Sequence, residues 1–232
     1  MQYRHIHPAV FVRRPNRFIA HVEENGQQVV AHVKNTGRCA ELLVPGCKVW
    51  LEYSENPNRK TPCDLIAVEK QTSRGPVCIN MDSAAPNAVA GEWLAVGGLG
   101  KLDLLRPEYT LGDSRFDFYA EQDGRPMLVE VKGCTLEEDG LARFPDAPTL
   151  RGVKHVKELT ELVSQGYRCC VLLVIQMKGI HTFQPNWETH PEFGLALQQA
   201  AAAGVEIHAM DCMVTPDSLM IDQPVPVDLT RP

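Results

Sequence analysis

The feature that most constrains this chain is a change of hydrophobic period near residue 80. Before it, apolar residues alternate in short runs broken by turn residues. Arg17–Glu23 alternates and stops at Glu24-Asn25-Gly26, a hairpin turn signal. Gln28–Lys34 then places Val29, Ala31 and Val33 on one face. Pro45-Gly46 is a turn, Lys48–Tyr53 alternates again, Asn56–Pro62 is a polar loop and Leu65–Val68 is a further strand. About five short strands with no helix predict a small OB-like β-barrel over residues 1–80. Such barrels often hold nucleic acid, although a fold does not by itself define a function.

Beyond residue 80 helical and strand periods interleave. Ser83–Val96 reads as a helix stopped by Gly97-Gly98, and Arg115–Glu121 and Met127–Thr135 read as strands. Thr149–Gln165 is a helix ended by Gly166, Cys169–Met177 a buried strand, Pro191–Ala203 a helix capped by Gly204, and Val205–Met210 a last strand. Residues 81–232 are therefore expected to form an α/β domain with a mixed sheet. The 232 residues suit one large domain or two small ones, and 44% apolar with 22% charged residues excludes disorder, collagen and coiled coil.

Residues 1–20 hold arginines, histidines and prolines with no apolar run, so no signal peptide is expected there. The longest apolar run, Cys169–Ile175, is far short of the ~20 residues a membrane helix needs. A soluble cytoplasmic protein without a membrane partner is the expectation. The eight cysteines then sit in a reducing compartment. They show neither Cys-x-x-Cys nor zinc spacing and read as free structural thiols. His181 and His190 stand alone and also read as structural.

Chemistry concentrates in Ser114–Gly133, SRFDFYAEQDGRPMLVEVKG. Asp123-Gly124 is a two-residue hairpin signal. It pairs Gln122 with Arg125, Asp117 with Glu130 and Arg115 with Lys132. Phe116, Phe118 and Ala120 then share one face, and Asp117, Glu130 and Lys132 the other. Like charges directly opposite destabilise a strand pair, and a divalent cation between the carboxylates would remove the repulsion. Hard oxygen ligands suit Mg²⁺ or Mn²⁺. Lys132 on the same face can orient a water or help deprotonate it, and metal, water and lysine beside a phosphodiester make a hydrolytic site. The bland reading is a solvated ladder in which Asp117 pairs with Arg115 or Lys132.

The formal net charge of −6 argues against a nucleic-acid partner when taken for the whole molecule. Residues 1–40, however, carry six basic against two acidic side chains, a local +4 that leaves −10 for the rest. Arg13, Arg14 and Arg17 lie beside Phe11 and Phe18, and Arg38 follows Asn35-Thr36-Gly37. Basic residues interleaved with aromatics suit phosphate contact plus stacking on bases, the alternative being a core aromatic pair with basic flanks. Ala142–Lys157 has a local +3. Within it Arg151, Lys154, His155 and Glu158 fall at helical spacing after Thr149, a candidate N-cap. That stripe is either a solvated face or a phosphate-facing one.

The blocks RFIAHV, VKNTGR, SRFDF, VEVKGCTL and FPDAPTLRGVKHVKEL resemble the sugar fermentation stimulation protein A (SfsA) family over essentially the whole chain. The resemblance implies DNA-binding proteins linked to regulation of sugar (maltose) metabolism, with an OB-like N-terminal domain followed by a PD-(D/E)XK nuclease-like domain. It puts the nuclease-like motif on Asp117, Glu130 and Lys132, with Phe116 where the motif's proline stands. A further acidic residue often joins such a site; Glu108 is the candidate, with Glu92 as runner-up. The expectation is a metal-dependent nuclease with little sequence preference. The alternatives are a non-catalytic DNA-binding regulator and an enzyme or sensor for a sugar phosphate, for which no Gly-rich phosphate loop is visible.

Overall fold

The computed structural model describes residues 1–35 and 37–232; Thr36, in the VKNTGR run, lies outside the described residues. The first half contains β1 (Ile6–Asn16), β2 (Ile19–Glu24), β3 (Gln27–Val33), β4 (Lys48–Tyr53), β5 (Cys63–Thr72) and β6 (Gly75–Asn80). They form one sheet in the order β3-β2-β1-β4-β5-β6, and a parallel pairing of β3 with β5 closes five of them into a barrel. Asn25 and Gly26 both take positive φ, as the two-residue turn between β2 and β3 requires. Phe11, Val22, Val33, Leu51 and Leu65 fill the interior, each contributing about 1.5–3 kcal/mol of burial. Strand β1 is not among the strands expected from the sequence, because Pro8 and Pro15 interrupt it and proline removes ladder donors.

The second half opens with α1 (Ala85–Ala95), then β7 (Leu104–Leu111), β8 (Ser114–Gln122), β9 (Arg125–Cys134), β10 (Leu136–Glu138) and β11 (Leu141–Phe144). It continues with α2 (Leu150–Ser164), β12 (Arg168–Ile175), β13 (Thr182–Pro185), α3 (Pro191–Ala203), β14 (Glu206–Thr215) and β15 (Ser218–Pro224). The main sheet has the order β15-β14-β12-β9-β8-β7. Strands β9, β12 and β14 run parallel and the outer pairings are antiparallel, so the sheet is mixed as expected. Helix α1 packs on one face through Val89, Ala90 and Leu94, while α2 and α3 cover the other with Val156, Leu159, Phe193 and Leu197. Thr149 caps α2 by accepting from the Gly152 N–H at 3.1 Å, and Gly204 ends α3 in the left-handed region. The edge strands β7 and β15 are additions to the elements expected from the sequence; β7 carries Pro107, which an edge tolerates.

A buried polar knot joins the halves. Gln176, after β12, donates to the carbonyl and side-chain oxygens of Asn80 and to the carbonyl of Asp82. Asn80 donates to the Tyr3 hydroxyl at 2.8 Å, and Lys34 reaches Asp82 at 2.6 Å. Tyr3 also donates its amide N–H to the Asp217 carbonyl, so the start of the chain packs against the second half. Burial raises the thiols of all eight free cysteines, Cys39, Cys63 and Cys134 to about 12. They are poor nucleophiles and weak metal ligands in this state. Among the described residues no helix is long and apolar enough to cross a membrane.

Arg168 and Glu206 clamp the starts of β12 and β14 through two bonds of 2.6 and 2.9 Å. Hydrogen bonding to Arg168 holds the Glu206 carboxyl at about 2, against the opposing effect of burial. Its folded value is below that of the unfolded chain, so its stabilisation is present above the ordinary carboxylate range of ~4.3 and is lost as pH falls toward the folded value. Glu206→Gln should therefore lower stability at pH 7 by roughly 1 kcal/mol. Urea titrations should show the gap to the parent protein closing as the pH falls from 5 toward about 2.

Candidate functional site

The hairpin β8–β9 turns at Asp123-Gly124, both with positive φ, and its register is the expected one from Gln122↔Arg125 to Phe118↔Val129. The ladder stops one pair short of Asp117 and Glu130. There the Asp117 carboxylate takes over a backbone role, accepting the Val131 N–H at 2.7 Å. The strand also switches faces at this point. Phe118 packs with Val129 and α1, whereas Phe116 packs with Leu128 and α2. The expected common face for Phe116 and Phe118 is thus corrected: the break at Asp117 turns one of them over.

Glu130 is 3% exposed, flanked in its strand by the apolar run Met127–Val129 and by Val131. Burial alone would raise its pKa, but His155 and then Lys132 overcome that and hold it below the usual carboxylate range. The His155 Nδ1–H donates to Glu130 Oε1 at 2.5 Å, and Lys132 Nζ donates to the same oxygen. Glu130 Oε2 is buried and has no hydrogen-bond partner among the described residues. Asp117 behaves oppositely. Burial, then the negative charge of Glu130, pushes its carboxyl up. Its Oδ1 accepts from Asn87 Nδ2 of α1 at 2.7 Å.

An orphaned carboxylate oxygen in a buried site costs on the order of 1–3 kcal/mol or more. Together with the oxygen donors of Asp117 it fits a hard divalent cation. Among the described residues no group of three His, Cys, Asp or Glu side chains gathers to hold a metal. Such a cation would therefore take Asp117 and Glu130 with water or backbone oxygens, the partly hydrated arrangement that Mg²⁺ favours.

The remaining expected residues divide. Glu108 sits across from Asp117 in the β7–β8 register, but its carboxylate is 69% exposed and pairs with Arg115 at 3.6 Å. A positive φ at Glu108 breaks the strand there and turns it outward, so it does not join the carboxylate pair. Glu92 binds the N-terminal ammonium at 2.7 Å instead. His155, expected as a DNA contact, is buried against Glu130, with Arg151 Nε 3.5 Å from its Nε2. The α2 stripe therefore splits: Arg151 and Lys154 stay exposed while His155 turns inward.

Arg14 is likewise not a free DNA contact. Its guanidinium donates to the carbonyls of Arg17 in the β1–β2 turn and of Asn35, Gly37 and Arg38 in the loop after β3, and so organises both. Phe11 is a core residue, which removes it as a stacking platform. Phe18 is 49% exposed beneath the Arg17 guanidinium. Arg13, Arg17 and Arg38 are exposed, and Asn35 is half-buried at the loop. Nothing in the sequence marks Asn87 as a partner of Asp117, because only the packing of α1 brings it there.

The fold is that of an OB barrel followed by a nuclease-like α/β domain, with its carboxylate pair and lysine on the central hairpin. Residues 12–79 match the SfsA N-terminal OB domain, and residues 84–218 match the sugar fermentation stimulation protein RE domain. A sugar fermentation stimulation protein homolog from Desulfitobacterium hafniense (strain Y51) is 52% identical over 231 residues, covering 100% of both chains. The Clostridium beijerinckii homolog is 49% identical, covering 99% of this chain and 100% of that one. The structure of Pyrococcus furiosus SfsA in complex with Ca²⁺ is similar with a TM-score of 0.85 at 26% identity, covering 98% of each chain. The chain belongs to the sugar fermentation stimulation protein family.

Because His155 satisfies a buried charge, His155→Ala should destabilise the protein by about 1.5–3 kcal/mol. Glu108→Gln, at an exposed pair, should stay within about 0.5 kcal/mol. Urea denaturation of the two variants beside the parent measures both.

Proposed function

We propose that this chain is a DNA-binding protein with little sequence preference that cuts phosphodiesters with the help of a divalent cation, Mg²⁺ or Mn²⁺. One observation carries the reading: a buried Glu130 oxygen without a partner among the described residues, beside Asp117 and Lys132. Asp117 and Glu130 are the residues that would hold the ion. When bound, it supplies Lewis-acid activation of water and neutralises charge at the phosphate.

The chain's own groups do the rest. His155 fixes the Glu130 carboxylate in position and keeps it ionised, and Asn87 does the positioning for Asp117. Lys132, 15% exposed, orients the attacking water and offers positive charge to the phosphate oxygens. Arg13, Arg17 and Arg38 on the barrel and Arg151 and Lys154 on α2 grip phosphates, with Asn35 as a polar contact. Contacts of this kind read charge rather than sequence and weaken steeply with salt. The working division is a barrel over residues 1–80 for grip and a domain over 81–232 for chemistry, in a cytoplasmic protein. The Ca²⁺ bound by the Pyrococcus furiosus relative supports a divalent site.

A second reading has its own support. Glu108 stays outside the carboxylate pair, which leaves two acids where a nuclease often uses three. A non-catalytic DNA-binding regulator of sugar (maltose) metabolism genes would keep the grip without turnover.

Plasmid and single-stranded DNA incubated with Mg²⁺ or Mn²⁺ separate these readings. The parent protein should cut, and Glu130→Ala and Lys132→Ala should each lose about a hundredfold or more in rate while still binding DNA. Equal cutting by parent and variants would refute the site, and binding without any cutting by the parent would select the regulator.

A further inference from the structure

Next to the carboxylate pair lies a cleft of ≈ 360 Å³ between the barrel loop around Gly37 and the ends of β9 and β11. Asn35, Gly133, Thr135, Phe144, Asp146 and Gln176 are among its walls. Gly133 is three residues past Glu130, roughly 10 Å along an extended strand. A Cβ at Gly133 would stand 2.5 Å from Pro86 of α1 and 2.6 Å from Gln176 Oε1, so only glycine fits between these two walls.

The polar groups left over define the occupant. Gln176 is 2% exposed and spends its amide N–H groups on Asn80 and Asp82, while its Oε1 has no partner among the described residues. Asp146 Oδ2 accepts the Arg38 N–H at 3.1 Å, leaving its second oxygen available. Asn35 Oδ1 accepts from the Gly37 N–H, leaving the amide nitrogen to donate. The cleft therefore offers two acceptors, a donor amide and the aromatic ring of Phe144. No Lys or Arg lines it, and Asp146 would repel a phosphate. The neighbouring cleft is the reverse: it shares Gly37 and Ala147 with this one and is lined by Arg14, Arg17 and Arg38.

We propose that this cleft receives one unpaired nucleobase of a DNA strand whose phosphates pass over Arg17 and Arg38 of the adjoining cleft. This rests on the reading of the chain as DNA-binding and narrows its substrate to DNA with a single-stranded or unpaired position near the site. An amide, a carboxylate and an aromatic ring are the groups that read an exposed base edge and stack on its face. Two acceptors favour bases with an exocyclic amine, so adenine, cytosine and guanine fit better than thymine.

The test is fluorescence anisotropy in EDTA, where no cutting interferes, with labelled DNA hairpins closed by a non-nucleotide linker, their stems fully paired or carrying one unpaired A, C, G or T. Hairpins with an unpaired A, C or G should bind at least about tenfold tighter than the paired hairpin, and unpaired T should gain less. Ala147→Phe fills the cleft and Phe144→Ala removes the ring; each should bring the unpaired-to-paired ratio close to one. The Ala147→Phe variant deletes no contact, which guards against a loss caused by misfolding. Equal affinity for paired and unpaired hairpins, or an advantage that survives both variants, overturns the proposal. Binding without base preference overturns it alone, whereas no DNA binding at all overturns it together with the proposed function.

Discussion

A negative charge folded into the core at Glu130 is the constraint on which the site depends. A lone ionised carboxylate in an apolar interior is costly unless it is paired and hydrogen-bonded. The structure supplies His155 from one side and Lys132 from the same strand, and both meet a single oxygen. Helix α2 must then lie where His155 can reach, which sets its height over β9. The neighbouring carboxylate, Asp117, stays solvated only in part and leans on the Val131 N–H and Asn87. One environment holds Glu130 low and another pushes Asp117 up. Opposed shifts of this kind are characteristic of sites built for chemistry.

Loop geometry follows a second constraint, the Arg14 guanidinium. Four carbonyls converge on it, which ties the end of β1 to the loop after β3. Asp146 holds the same loop from the second half through the Arg38 N–H. Basic side chains that read alike in the sequence thus part into one structural residue and three exposed ones. The local +4 of the first 40 residues is accordingly carried outward chiefly by Arg4, Arg13, Arg17 and Arg38. The whole-chain −6 conceals that arrangement, part of it being the carboxylate pair that a cation would offset.

Much of this was legible in advance. Asn25-Gly26 and Asp123-Gly124 announced their turns because only a narrow class of residues accepts two positive φ values. The second of these set the register that carries Asp117, Glu130 and Lys132 to one end of the hairpin. Thr149 and Gly204 marked helix ends through local hydrogen bonding and backbone freedom. What stayed hidden depends on tertiary packing. The face switch between Phe116 and Phe118, the outward turn of Glu108 and the inward turn of His155 have no period to betray them. Edge strands β7 and β15 bury too little for a clean alternation, and β1 is masked by its prolines.

Glu130 Oε2 has no hydrogen-bond partner among the described residues, and the proposed cation would complete it. Anomalous diffraction from crystals of the protein grown with Mn²⁺ measures this directly. One strong peak is expected within about 2.0–2.6 Å of oxygens from both Asp117 and Glu130, with Lys132 moved off the carboxylate. A peak elsewhere, or Glu130 Oε2 bonded to an ordered water with no metal near Asp117, would contradict it.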